Sequence, residues 1–271
     1  MTSDQRISVT PVNLWICPNG DLAPDVARVL ATHWLDEHEK QVADRFLHES
    51  DRRQYLVAHT LVRRALALES GIAEAELIIH RSSRGRPFLK CPDDGMPPRD
   101  TELDFSLSHV NGLNLLGVVR RSRIGVDIER LDRSERAIDA IVGMFTSDEQ
   151  KWVASVPWGR PRYRRAVRLW TLKEAYSKAR GLGLGLPFDA FSFVLAEDRG
   201  VEGFRPPADD RTGRWRFIEL EPVPEVLAAV ALRDDDHRAA VLRLHRGFPW
   251  SRSSPHHVAL PEPVGAHFRR Y

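Results

Sequence analysis

A mixed α+β fold is what this sequence predicts, and three observations predict it. Two long stretches carry apolar residues close to a helical period, one closing at Gly71 and the other at Gly181. Several short apolar runs, divided by Gly, Pro, Ser and Asn, read as strands. Both halves of the 271 residues mix such strands with one long basic helix, which points to a duplicated α+β unit.

Taken in order, "RISVTPVNLWIC" is strand-like with imperfect alternation. The first helix lies in "RFLHESDRRQYLVAHTLVRRALALESG", with Phe46, Tyr55, Leu56, Leu61, Val62, Leu66 and Leu68 on its apolar side. "ELIIHRS", "RPFL", "LDFSLSH" and "LNLLGVVR" follow as strands, with "KCPDDGMPPRD" a turn-rich loop among them. "RIGVDIERL" opens the second half as a strand up to Ile128. Thr146 and Glu149 in "FTSDEQKWVASV" have capping-box spacing and start a helix. Pro161 suits the first turn of a long helix that ends at Arg180. "FDAFSFVLA" and "RWRFIEL" read as strands around the loop "FRPPADDRTG", and "EVLAAVALR" fits strand or helix equally. The predicted division is 1–123, 124–245 and a mobile Pro-, Ser- and His-rich tail over 246–271.

The apolar and charged fractions are those of a globular chain that buries a sizeable core. No stretch approaches the roughly 18 apolar residues of a membrane span, and the start lacks a secretory pattern, so the expected location is the cytoplasm. Cys17 and Cys91 are too few for a disulfide framework and read as free thiols. The formal charge of +2 hides an asymmetry: residues 160–180 hold eight Arg or Lys against one Glu. Such a run either attracts an anion or is a solvated helix face.

Chemistry concentrates at a few positions. Asp127 and Glu129 stand two apart on a strand and share a face, where like charges repel unless a cation or a proton intervenes. A hard divalent cation such as Mg2+ suits them; a turn cap beside an exposed acid is the structural alternative. Trp170, Glu174 and Lys178 are spaced four apart and form one helical stripe, so Glu174 can join the acids and Lys178 can reach a phosphate, or the stripe is a surface ion pair. Arg81, Arg84 and Arg86 surround Gly85 in "HRSSRGRPFL", a loop that can bind an anion or stand in solvent. Ser108 and His109 end a strand before a turn. GxSxG, HExxH, CxxC and P-loop patterns are all missing, and "GLGLGL" lacks the third glycine of a dinucleotide fingerprint.

"GVDIER" and "WTLKEAYSKARGLGL", about forty residues apart, together with "GRPFL" and "FSLSH" upstream, resemble the 4'-phosphopantetheinyl transferase superfamily in its longer, pseudo-dimeric form. The resemblance spans roughly residues 40–195. It implies two similar α+β lobes related by a pseudo-twofold axis, with coenzyme A bound between them and a monomer sufficient. It implies transfer of 4'-phosphopantetheine from coenzyme A to a serine of an acyl or peptidyl carrier protein, with adenosine 3',5'-bisphosphate released. By matching positions, Asp127, Glu129 and Glu174 hold Mg2+, Glu174 also helps deprotonate the serine, and Lys178 neutralises the pyrophosphate. Ser108, His109, Arg81 and Arg86 match coenzyme A contacts, His109 near its 3'-phosphate and Arg86 standing where the family commonly has Lys. The alternatives are a Mg2+-dependent phosphoester hydrolase using the same acids and a basic nucleic-acid module built on 160–180. Neither nucleic acid nor membrane is an expected partner.

Overall fold

The computed structural model describes residues 10–90, 103–234, 240–250, 255–258, 260–261 and 264. Cys91, most of the predicted loop over 90–100, and parts of the predicted tail lie outside the described residues.

In chain order the elements are β1 (Thr10–Pro18), α1 (Pro24–Trp34), α2 (Glu37–Asp44), α3 (Glu49–Ser70), β2 (Ile78–Arg81), β3 (Pro87–Lys90), β4 (Leu103–Val110) and β5 (Leu113–Arg120). There follow β6 (Ile124–Arg130), α4 (Glu135–Val142), α5 (Ser147–Ala154), α6 (Arg160–Arg180), β7 (Ser192–Leu195), β8 (Val201–Arg205), β9 (Trp215–Val223), β10 (Val226–Arg233), β11 (Ala240–Arg246) and β12 (His256–Val258). A five-stranded sheet runs β12-β11-β1-β5-β4, and a three-stranded sheet runs β6-β10-β9. The hairpins β2-β3 and β7-β8 stand apart. The strand order β1-β5-β4 recurs as β6-β10-β9, each set antiparallel, each with its long helix after the first strand and a hairpin after the helix.

Local signals account for the long helices. Gly71 leaves α3 at φ +79°, and Gly181 leaves α6 at φ +68°, both left-handed exits that glycine adopts without strain. Thr146 and Glu149 form the predicted capping box of α5, and Asp36 with Glu39 forms a second one on α2. "EVLAAVALR" resolves as β10, because its alternation places Val226, Ala228, Val230 and Leu232 toward the layer between the sheets, while Ala229 and Ala231 face α6.

That layer is the central core. Val12, Leu14, Ile16 and Leu115 from one sheet meet Ile124, Val126, Ile128 and Val230 from the other. Helix α3 closes the outer face of the first sheet, with Val57, Leu61 and Leu66 packed against Phe105, Leu116 and Val118. On the other side α6 closes the second sheet, where Tyr176 sits in an aromatic box of Phe191, Phe204, Trp215 and Phe217.

Two expectations change. Helix α6 is not a free basic face: Arg164 pairs with Glu221 at 2.6 Å, Arg168 grips both oxygens of Glu219 at 2.7 and 2.9 Å, and Arg165 pairs with Glu197. Lys173 is fully buried against Glu149 at 2.9 Å. The acids that balance these bases come from β9, the loop after β7 and helix α5, outside α6 itself, so the local count of eight against one overstated the exposed charge. The basis for a nucleic-acid module goes with it.

The second change concerns the division of the chain. β11, assigned by the sequence reading to the second half, pairs in parallel with β1 of the first sheet. In the tail region Phe248 is buried in the first core, the carbonyls of Pro249 and Trp250 accept from Arg64, and β12 pairs with β11. Those described residues are packed on the first sheet. No described helix is long and apolar enough to cross a membrane.

Candidate active site

The site begins with a strand edge. β6 pairs with β10 on one side only, and its other edge faces β4, itself the last strand of the first sheet. Side chains replace the missing ladder: Asp104 Oδ2 accepts from Ile124 N at 2.8 Å and Ser106 Oγ accepts from Val126 N at 3.1 Å. One step further Ser108 Oγ donates to Asp127 Oδ1 at 2.9 Å. Asp104, Ser106 and Ser108 alternate along β4, so a period of two aligns all three with the neighbouring edge.

Helix α6 crosses this seam and adds Lys178, whose Nζ donates to Asp127 Oδ1 at 2.6 Å and to Ser108 Oγ at 3.0 Å. Asp127 is buried, and its second oxygen, Oδ2, is buried with no hydrogen-bond partner. Glu129 accepts from Trp170 Nε1 at 3.1 Å and pairs with Arg133. Trp170 therefore does more than pack behind the acids, although its ring also meets Phe188 edge-on at 5.4 Å.

Electrostatics tie the three acids together. Burial, then the charge of Asp127, raises the Glu174 carboxyl to about 6, with Lys178 opposing and Glu129 adding to the rise. Burial and Asp127 also raise Glu129, against its bonds to Arg133 and Trp170. Like charges are thus crowded at the crossing of β6 and α6. Among the described residues no three acids, imidazoles or thiols form a ready cation cage. Glu129 is committed to Arg133 and Trp170, while Asp127 Oδ1 is committed to Lys178 and Ser108.

A cleft of about 570 Å³ opens beside this crossing. Its lining includes Lys178, Gly181 and Gly183 from α6 and its exit, Arg81, Arg84 and Arg86 of the β2-β3 hairpin, and His38, Glu39 and His59 from α2 and α3. Arg81 Nη1 donates to Gly85 O at 3.1 Å and is otherwise at the surface. Arg86 Nη2 is engaged by Asp104 Oδ2 at 2.6 Å and by Ile124 O at 2.9 Å, so it braces the seam between the sheets. Partial desolvation, then the charges of Lys178 and His59, lower the pKa of His109.

Comparison with known proteins shows the family. A family model described as the 4'-phosphopantetheinyl transferase superfamily matches residues 123–242, and one described as 4'-phosphopantetheinyl transferase, N-terminal, matches residues 24–117. A phosphopantetheinyl transferase of Thraustochytrium sp. is 30% identical over 210 residues, which is 70% of this chain and 68% of that protein. The chain belongs to the 4'-phosphopantetheinyl transferase superfamily.

Both halves are matched, so the transferase is of the longer type. The 4'-phosphopantetheinyl transferase HetI of Nostoc sp. is 28% identical over 82% of this chain and 87% of its own length. A holo-(acyl-carrier-protein) synthase from Bacillus anthracis, solved with CoA (3',5'-ADP), aligns with 41% of this chain and 94% of its own at 20% identity and a TM-score of 0.35. The family model over 123–242 spans Asp127, Glu129, Glu174 and Lys178; Arg81, Arg86, Ser108 and His109 fall within the one over 24–117. The sequence reading missed Asp104, Ser106 and Arg133 of the transferase's seam. The alternation of polar residues in "LDFSLSH" was the available signal for the first two.

Proposed function

We propose that this transferase moves 4'-phosphopantetheine from coenzyme A to a serine of an apo acyl or peptidyl carrier protein, with Mg2+ and with release of adenosine 3',5'-bisphosphate. One observation carries the reading: three mutually repelling carboxylates and a lysine gather where β6 and α6 cross, at the mouth of a cleft with basic walls. Chain membership in the family supplies the group transferred and the class of acceptor.

The donor set fits Mg2+. It is all oxygen and anionic, and Asp127 Oδ2 is buried with nothing to bond. Asp127, Glu129 and Glu174 would hold the ion, which when bound polarises the anhydride oxygens and offsets their charge. The residues of the chain do the rest. Glu174, raised to about 6, is ionised at neutral pH and a stronger base than an ordinary carboxylate. It takes the proton of the carrier serine, directly or through a water, as the serine oxygen attacks the phosphorus that carries pantetheine. The bond from that phosphorus to the oxygen of the adenosine phosphate breaks, and Lys178 balances the charge gained by the leaving phosphate. Ser108 and Asp127 hold Lys178 at the position where this charge is needed.

Arg81, Arg86, Ser108 and His109 are proposed contacts of coenzyme A, with Arg86 contributing mainly through its brace on Asp104. The two lobes, 1–123 joined by β11 and β12, and 124–234, are proposed to be related by a pseudo-twofold axis, a reading supported by the recurrence of the same strand order. A cytoplasmic monomer completes the proposal.

Incubation with coenzyme A, Mg2+ and a panel of apo carrier proteins should add the phosphopantetheine mass to at least one carrier serine. No modification of any carrier, with a known transferase active alongside, defeats the proposal. Release of nucleotide at the same rate without carrier would favour hydrolysis instead.

A further inference from the structure

The loop between β8 and β9 holds a built arrangement that the transfer chemistry does not use. Its stretch "ADDRTG" has two acids side by side, and only the second, Asp210, is buried. Asp210 Oδ2 accepts from the hydroxyl of the fully buried Tyr176 at 2.6 Å and from Trp215 Nε1 at 2.8 Å, and Arg180 Nη1 stands 3.4 Å from the same oxygen. Arg180 Nη1 also donates to the Tyr176 hydroxyl at 2.8 Å, and Nη2 donates to the exposed Asp209 at 2.9 Å. Burial, then the bond to Asp210, push the Tyr176 phenol above its ordinary value, so it stays protonated and donates. The loop is folded closely around this carboxylate: a Cβ on Gly213 would stand 2.4 Å from Asp210 Oδ1 and 2.9 Å from Trp215 Nε1.

Tyr176 and Arg180 are four apart on α6 and share one stripe. Glu174 and Lys178 are also four apart and share another, turned from the first by about 200° around the axis, so the same two turns of helix carry the grip on one side and the reactive groups on the other. The aromatic box around the Tyr176 ring holds α6 close to its neighbours, but apolar packing is non-directional and sets the rotation of a helix weakly. Hydrogen bonds have direction, and those that converge on the Asp210 carboxylate fix that rotation. Side-chain atoms about 6 Å from a helix axis move about 1 Å when the helix turns by about 10°. A displacement of about 1 Å at reacting groups costs on the order of 100-fold in rate.

We infer that Asp210 is a positioning residue for the transfer: through Tyr176 and Arg180 it sets the rotation of α6 and so the placement of Glu174 and Lys178 against Asp127 and Ser108. Asp210 touches neither substrate nor metal in this role. The inference rests on the proposed function for the parts that Glu174 and Lys178 play.

The test uses Asp210→Asn, which removes the charge, Gly213→Ala, which crowds the carboxylate without removing it, and Tyr176→Phe, which deletes one donor; the last two keep the inference open to refutation if the first fails to fold. In steady-state transfer each should lower kcat about tenfold to 100-fold and change KM for coenzyme A less than about twofold, and Tyr176→Phe combined with Asp210→Asn should lose little more than either alone. Val57→Ala, a core truncation beneath α3, is the comparison for lost stability: its unfolding midpoint should fall while kcat stays at the wild-type value. A readout without turnover is the NMR position of the Asp127 and Ser108 backbone amides, which lie across the helix from Asp210 and should shift in Asp210→Asn and Gly213→Ala but not in Val57→Ala. Wild-type kcat in the Asp210 and Gly213 variants, an equal loss of kcat in Val57→Ala, multiplicative losses in the double variant, or unmoved amides each overturn the inference. Shifted amides in a protein that modifies no carrier would sink the proposed function and leave the control of α6 by Asp210 standing.

Discussion

Gly125 shows how closely the fold and the site are coupled. It lies on β6, is absent from the left-handed φ region, and is there for closeness: a Cβ at this position would stand 1.9 Å from Ala175 O and 2.5 Å from Ala179 N. Both are backbone atoms of α6, so no rotamer change relieves the overlap. Restoring the 3.4 Å of ordinary contact pushes α6 back by about 1.5 Å. Glu174 and Lys178 adjoin Ala175 and Ala179 in sequence, whereas Asp127 and Glu129 stay with β6, so the retreat separates the two halves of the acid cluster. A misplacement of about 1 Å costs on the order of 100-fold in rate, and overpacking of this kind costs about 1–3 kcal/mol in stability. Gly125→Ala should therefore lower kcat/KM for carrier modification by about two orders of magnitude, with a lower midpoint in thermal unfolding. Gly117→Ala is the comparison, because its Cβ meets the side chains of Ile124 and Val126, which can shift. A Gly125→Ala protein with wild-type transfer and wild-type unfolding would refute the idea that the β6-α6 contact sets the site.

Other outcomes follow from buried groups. Glu149→Ala leaves the Lys173 ammonium buried and unpaired and should cost about 3–5 kcal/mol in urea unfolding, whereas Lys173→Met combined with Glu149→Gln should recover most of it; equal losses would argue against a paired charge. Burial lowers the Lys173 amine to about 8 against the pull of Glu149, so the folded state releases this proton before the unfolded state does. Its contribution to stability accordingly rises from about pH 8 toward the ordinary lysine value of 10.5, and that rise should vanish in Lys173→Met. Burial, then the charge of Asp21, pushes the Cys17 thiol up to about 12, so in a Cys91→Ser background it should resist iodoacetamide at pH 8 until the protein unfolds; rapid alkylation of the native protein would contradict its burial. Arg86→Gln removes two hydrogen bonds, one to the Asp104 carboxylate, and should cost about 1.5–3 kcal/mol, with Lys restoring part of the loss by reaching one acceptor; no change in unfolding would show that the brace is idle.

Much of this was legible in the residues because the signals were local. Gly71 and Gly181 end helices by their own conformational freedom, and Thr146 with Glu149 caps α5 within four residues. Asp127, Glu129, Glu174 and Lys178 were visible as two short patterns, since a strand period and a helical period each determine a face. Partnerships across the chain were not legible. Acids that neutralise α6 include Glu149, Glu197, Glu219 and Glu221, and nothing within the helix announces them. Helix α4 was missed although Ser134 caps it, because its short apolar face of Ile138, Ile141 and Val142 shows a pattern only once Phe145 and α6 are beside it. β11 was missed because its partner is β1, more than two hundred residues earlier.

The seam between β4 and β6 explains why chemistry sits there. The strand orders β1-β5-β4 and β6-β10-β9 leave β4 and β6 as neighbouring edges, one from each sheet. A regular ladder would have joined them with backbone bonds and left no room for ionised side chains. Side chains of Asp104 and Ser106 satisfy the amides of Ile124 and Val126 instead, and Ser108 extends the same row to a carboxylate. The edge is thus protected without being closed. Asp127 can lie in the seam with one oxygen held and one free, beside a helix that brings Glu174 and Lys178 from the other direction. On β1, the first strand of its set, Trp15 and Cys17 pack into the core beneath α3. On β6, the first strand of the other set, Asp127 and Glu129 stand at the junction of the two sheets, so the same place in the repeated strand order carries core residues in one half and carboxylates in the other.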